Sequence, residues 1–145
     1  MTNRPDFYKA NPHVVKTMMK LEERIQQSGL EQPLLELVRL RASQINGCAF
    51  CMDMHFQDAV KGGESVRRLA TLSAWRESPF FTAREQAALA WTEAVTLVAQ
   101  THVPDEVWAL VSEQFSESEA VDLTLLINAI NGWNRLAIAF RKVPN

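Results

Sequence analysis

The chain has 145 residues, 47% of them hydrophobic, and a formal net charge of −2. That length fits one domain, residues 1–145, able to bury about 68–70% of its unfolded surface, and the apolar content excludes a disordered chain. Acidic and basic residues are intermixed, with no basic stripe and no apolar run of spanning length, so neither nucleic acid nor membrane is an expected partner.

From Met1 to Tyr8 the sequence has no apolar core of a leader segment, and the chain reads as cytoplasmic. Asn11 before Pro12 looks like an N-cap followed by proline at the first helical position. The helix so opened runs to about Ser28, with Gly29 as its stop. Pro33 opens a second helix that ends at Asn46-Gly47. A third covers Ala49 to Lys61, free of Pro and Gly until Gly62-Gly63. Glu64 to Ser73 reads as a shorter helix, followed by an irregular segment through Trp75 to Pro79. Thr82 and Glu85 form a capping box for a helix reaching about Gln100. Pro104 begins another that ends near Phe115. Ser116 and Glu119 form a second capping box and open the last helix. No run alternates with period two, so the fold class is all-α, a bundle of about six to eight helices.

The last helix is apolar nearly all round from Val121 to Ile130, which argues burial on more than one side. One small domain has difficulty covering Val121, Leu123, Leu125, Leu126, Ile127 and Ile130, so a partner subunit is expected over some of them. Asn128, Asn131 and Asn134 recur through this helix and are expected to hydrogen-bond across a helix interface, where unpaired amides would be costly. Ile130-Asn131-Gly132-Trp133 echoes Ile45-Asn46-Gly47-Cys48. If the echo marks a duplicated helix pair, Gly132 would bend the last helix. Trp75, Trp91, Trp108 and Trp133 read as core or interface aromatics, and His13 and His102 as surface residues.

Cys48 and Cys51 are the only cysteines. In a chain without a leader, C-x-x-C points to redox or metal chemistry rather than to a structural staple. The turn signal at Asn46-Gly47 places both thiols in the first turn of a new helix, where free N–H groups and the macrodipole favour a thiolate. His55 lies four residues after Cys51, one turn on, and can meet it on one face. The same residues admit blander readings: two small buried hydrophobes, or zinc ligands with His55 and Glu36. Two thiols and a histidine on one short helix make a poor tetrahedral cage.

Glu36 sits on the preceding helix, twelve residues before Cys48, among Leu34, Leu35, Leu37, Val38 and Leu40. It is either an i,i+3 surface partner of Arg39, worth a few tenths of a kcal/mol, or a carboxylate folded over the cysteine turn to relay a proton with His55.

With Glu36, Cys48, Cys51 and His55 in this order and spacing, the sequence resembles the alkylhydroperoxidase AhpD-like branch of the carboxymuconolactone decarboxylase superfamily. The segments Leu37-Val38-Arg39-Leu40-Arg41 and Ala90-Trp91-Thr92-Glu93-Ala94 carry the resemblance further, roughly from Tyr8 to the last helix. It implies an all-helical subunit assembled as a homotrimer or homohexamer. It also implies a peroxidase in which the second cysteine attacks peroxide and the first resolves. Some members carry a histidine directly before the second cysteine, where this chain has Phe50. The residues give no function to Trp91 and Glu93.

The expected reaction is therefore reduction of a hydroperoxide through a C-x-x-C disulfide cycle, with an external dithiol of lipoyl or thioredoxin type as reductant and no bound metal or organic cofactor. Position near the helix terminus favours Cys48 as the attacking thiol, and Cys48 is expected to be the more exposed. The base His55 favours Cys51. A helix terminus contributes roughly 0.3–2 kcal/mol, a positioned base roughly 3–5 kcal/mol. Cys51 is thus the expected peroxidatic residue and Cys48 the resolving one. The alternatives are a redox-sensing or zinc-binding helical oligomer, and a decarboxylase-type lyase, which has no use for C-x-x-C.

Overall fold

The computed structural model describes residues 3–145; Met1 and Thr2, at the start of the expected domain and of the segment read for a leader, lie outside the described residues. The elements in chain order are α1 (Phe7–Ala10), α2 (Pro12–Gln27), α3 (Gln32–Asn46), α4 (Ala49–Lys61), α5 (Val66–Ala70), a 3-10 segment (Leu72–Glu77), α6 (Ala83–Thr96), α7 (Val98–Thr101), α8 (Asp105–Gln114) and α9 (Glu117–Ala139). No strand occurs among the described residues, and the fold is all-α. Both capping boxes form as expected, Thr82 with Glu85 and Ser116 with Glu119.

Three short elements add to the seven expected helices. Asp6 caps a four-residue α1 by accepting from the Tyr8 N–H at 3.0 Å. The segment through Trp75 is a 3-10 helix rather than irregular, and the helix expected over Glu64–Ser73 shortens to α5. The helix expected to reach Gln100 breaks at Leu97, and α7 follows. Asn11 flanks α2, but its side chain makes no cap hydrogen bond.

α3 and α9 form the centre. α3 packs against α4, α6 and α9, and α9 also meets α2, α4, α6 and α8. One core cluster gathers Ile25, Leu35, Val38, Ala88, Val111, Leu126 and Ile127; a second joins Leu37, Leu40, Ala59, Leu72, Trp75 and Leu89. This packing covers most of the α9 face over which a partner subunit is expected. Leu123, Leu126, Ile127 and Ile130 are buried within the single chain, Leu125 is partly buried against the first cluster, and Val121 points out at 71% exposure. Five neighbouring helices cover the centre of this face, and Val121 and part of Leu125 remain uncovered within the single chain.

Gly132 does not interrupt α9, which runs unbroken through it. Its missing side chain serves a close approach: a Cβ there would stand 2.9 Å from Met18 Cε on α2. The asparagines bridge helices at two of the three expected positions. Asn46 Nδ2 donates to Asn131 Oδ1 at 3.0 Å and to Asn134 Oδ1 at 2.9 Å, and Asn134 Nδ2 donates to Ser43 Oγ at 3.1 Å. Asn128 is exposed and takes no part. The bridge pins the last turn of α3 to α9, immediately before the cysteines.

Candidate functional site

The cysteine turn is built by the end of α3. Gly47 adopts φ +70°, the left-handed conformation that side chains with a Cβ resist. Its N–H bonds to the Gln44 carbonyl at 3.2 Å, and the Cys48 N–H bonds to the Ser43 carbonyl at 3.0 Å. This is a Schellman motif, which closes the free carbonyls of α3. Cys48 leaves it in extended conformation and becomes the N-cap of α4, its sulfur accepting from the Cys51 N–H at 3.2 Å. One residue thus ends a helix motif and begins the next helix, which sets both sulfurs in the first turn of α4, as the sequence implies.

Cys48 and Cys51 are joined as a disulfide. The expectation that Cys48 would be the more exposed is not met: Cys48 is 1% and Cys51 2% exposed, packed with Ala137, Phe50 and Ile138. What separates them is the cavity beside them. A pocket of about 370 Å³ opens between α1, α2, α4 and α9, and Cys51, not Cys48, is among its lining residues. Its walls are mostly apolar, with Phe7, Met19, Phe50, Met54, Ile130 and Trp133, and the polar groups Glu36, Arg39 and His55 meet at the wall beside Cys51. Phe50 forms part of this wall, and the Lys142 ammonium lies 5.0 Å from the ring centroids of both Phe50 and Tyr8.

Glu36 is buried, at 7% exposure, and combines the two arrangements weighed for it from sequence. Its Oε1 accepts from Arg39 Nη1 at 2.9 Å, and its Oε2 meets His55 Nδ1 at 3.0 Å. An ionised carboxylate can only accept, so Nδ1 carries the ring proton and Nε2 keeps a lone pair able to take one. Burial pushes the Glu36 carboxyl up, but the His55 hydrogen bond and the Arg39 charge outweigh it, and the group is held below the ordinary carboxylate value. Cys51, His55 and Ala59 form the buried stripe of α4. Cys51 and His55, one turn apart, line the same pocket.

Three residues of this site carried no functional signal in the sequence. Arg39 is buried between Glu36 and Glu22, donating through Nη2 to Glu22 Oε2 at 2.9 Å, and Glu22 Oε1 accepts from Trp133 Nε1 at 3.0 Å. In the sequence Glu22 shows only as one of the charged residues of α2. A second pocket of about 340 Å³ lies on the other side of Glu36, with Gln32, Asp58, Gly63 and Glu64 in its wall. Glu36, His55 and Asp58 bring one ligand atom each within 4.8 Å of one another. Both Glu36 oxygens are already engaged and Asp58 is exposed, and the sulfurs lie outside this group, so the ligand set weighed for zinc is not assembled.

Residues 12–94 match the carboxymuconolactone decarboxylase family, more than half of the chain. The chain belongs to that family. Its similarity to the uncharacterized protein YdfG of Bacillus subtilis is 45% identity over 139 residues, 96% of this chain and 95% of that protein. A solved structure from Agrobacterium tumefaciens aligns with a TM-score of 0.95 and 44% identity over 99% of both chains. That protein, of unknown function, is suggested by its name to be an antioxidant defence protein AhpD, and the family member described here is AhpD-like in the same sense. A debrominase in its apo form aligns with a TM-score of 0.83 at 20% identity, over 93% of this chain and 73% of that one, which is a likeness of fold.

Proposed function

We propose that the protein is a thiol peroxidase that reduces hydroperoxides through Cys51 and Cys48. The observation that carries this reading is the pocket in which Cys51 and His55 stand together while Glu36 holds His55 by Nδ1. In the reduced protein, His55 Nε2 takes the Cys51 proton. The thiolate sulfur attacks the terminal peroxide oxygen, the O–O bond breaks, and the leaving alkoxide takes the proton from His55 and departs as alcohol. Cys51 is now a sulfenic acid. The Cys48 thiol displaces its hydroxyl as water and forms the disulfide that this structure contains. An external dithiol, of lipoyl or thioredoxin type, returns both thiols by exchange and is itself oxidised to a disulfide.

Decarboxylation of a lactone, the chemistry in the family's name, has no use for a C-x-x-C disulfide. The cycle needs a reducing compartment, consistent with the cytoplasm; among the described residues no helix is long and apolar enough to cross a membrane. Assembly as a homotrimer or homohexamer is part of the proposal. It is supported by the family resemblance and by Met19 and Met54, 49% and 39% exposed beside the pocket, as apolar surface for a neighbouring subunit. The deciding experiment is consumption of organic hydroperoxides by the reduced protein with lipoyl and thioredoxin-type donors. Turnover with either supports the cycle, and a protein whose thiols oxidise no faster than free cysteine with every hydroperoxide sinks it.

A further inference from the structure

Two charged residues that the proposed chemistry does not use stand behind Glu36. Arg39, its side chain 8% exposed, lies between two carboxylates at equal distance, 2.9 Å from Glu36 Oε1 and 2.9 Å from Glu22 Oε2. The charged groups that share the pocket wall with His55 are Glu36 and Arg39 of α3, Glu22 of α2, and Asp58 of α4. Tyr8 of α1 is the other titratable group on the pocket wall, Cys51 being held in the disulfide, and α9 lines it without charge. Asp58 is exposed, so solvent screens it. The inner three groups sum to one negative charge. An imidazolium on His55 brings that sum to zero, the condition under which a largely buried ionic set is least costly. With Glu22 removed from the count, Arg39 and Glu36 cancel, and a protonated His55 faces no net counter-charge.

We propose that Glu22 and Arg39 are a positioning pair: Arg39 fixes the Glu36 carboxylate, and Glu22 cancels the charge of Arg39, so that Glu36 keeps its negative charge available to His55 when the ring takes a proton. Trp133 holds Glu22 in place for this through its indole N–H. The purpose of the pair rests on the thiol peroxidase reading; its existence does not. A merely structural ion pair would tie α2 to α3 with no consistent effect on the ring. The charge arrangement demands effects of opposite sign from its two members.

The test follows the His55 ring by NMR across pH in the disulfide form of the full chain, with circular dichroism to establish that each variant is folded. Glu22→Gln keeps the side-chain shape and an acceptor for Trp133 but removes one negative charge, and the midpoint of the ring titration moves to lower pH. Arg39→Gln removes the positive charge, and the midpoint moves to higher pH. Arg39→Lys restores the charge and returns the midpoint to that of the parent protein. Shifts in the same direction for the two glutamine variants, or an unmoved midpoint in Glu22→Gln, overturn the proposal. If Arg39→Gln does not fold, Glu22→Gln and Arg39→Lys decide it alone, because only the first is expected to move the midpoint. No peroxide enters this experiment, so its failure and a failure of the peroxidase reading are separate results.

Discussion

Glu36 on α3 and Glu93 on α6 occupy the same electrostatic condition in two regions of the molecule. Both are largely covered, with side chains 9% and 17% exposed. In both, burial pushes the carboxyl up, and hydrogen bonds and cations pull it below its ordinary value. The partners differ. Glu93 accepts from Arg41 at 3.1 Å, from Trp75 at 2.9 Å and from Arg76 at 2.5 Å, tying α3 and the 3-10 segment to α6. None of these donors changes its proton near neutral pH. Glu36 accepts from two such donors, Arg39 at 2.9 Å and the Gln32 amide at 3.3 Å, and from His55, which can gain and lose a proton beside a pocket that holds a sulfur. A buried carboxylate saturated by permanent donors is a rivet between helices; the same carboxylate with one titratable partner can handle a proton. This also gives Glu93, which the sequence left without a function, a structural one.

The largest effects that would break this contrast are at the thiols. Cys51→Ser is expected to abolish reaction with hydroperoxide. Cys48→Ser is expected to consume one equivalent and stop at a sulfenic acid that dimedone traps on Cys51. A sulfenic acid trapped on Cys48 in the Cys51→Ser protein would reverse the assignment and give the helix terminus the larger share.

Next come the carboxylate partners. His55→Ala is expected to slow oxidation of the reduced protein by about 10²–10⁴-fold, the usual contribution of a positioned base, and to lower stability through the buried Glu36 oxygen it leaves unpaired. Glu93→Ala is expected to change stability alone, costing about 1–3 kcal/mol through the donors it leaves unpaired while stopped-flow oxidation stays near the parent rate. A rate loss in Glu93→Ala larger than in His55→Ala would erase the distinction between rivet and relay.

Acid should treat the two glutamates alike. Each has its folded-state pKa lowered, so the unfolded chain binds the proton at higher pH than the folded one. The stability each contributes is full above the ordinary carboxylate value of 4.5 and is lost as pH falls from there through the folded values. Denaturant midpoints measured from pH 6 downward should therefore fall, and Glu36→Gln and Glu93→Gln should each flatten the slope. An unchanged slope in either variant would contradict the direction given for that group. The smallest effect is at the turn: Gly47→Ala places a Cβ at φ +70° and is expected to cost roughly 1–2 kcal/mol, read as a lower Tm with the disulfide still forming.

Much of this molecule is legible in the sequence because its signals are local. Proline at Pro12 and Pro33, the two capping boxes and glycine at Gly29 and Gly47 act within one or two turns, through hydrogen bonds and φ angles that neighbours along the chain decide. The position of Cys48 and Cys51 at the start of α4, and of His55 one turn later, follows from the same local rules. The misreadings are also informative. Leu97 breaks a helix with no Pro or Gly to announce it, and α1 forms over four residues, too few for any periodicity to register.

What the tertiary structure alone decided is which distant groups meet. Asn46 bonds to Asn131 across 85 residues and Trp133 to Glu22 across 111. The burial of Arg39 between two glutamates depends on α2 crossing α3, and the covering of α9 within one chain depends on five helices around it. No period or spacing encodes such meetings, because partners brought together by packing owe nothing to their separation along the chain. The sequence by itself determined which helix carries the thiols and which face carries the histidine. Which cysteine opens to the pocket, and which charges stand behind the glutamate, were decided by how the apolar faces of α2, α3, α4 and α9 close on one another.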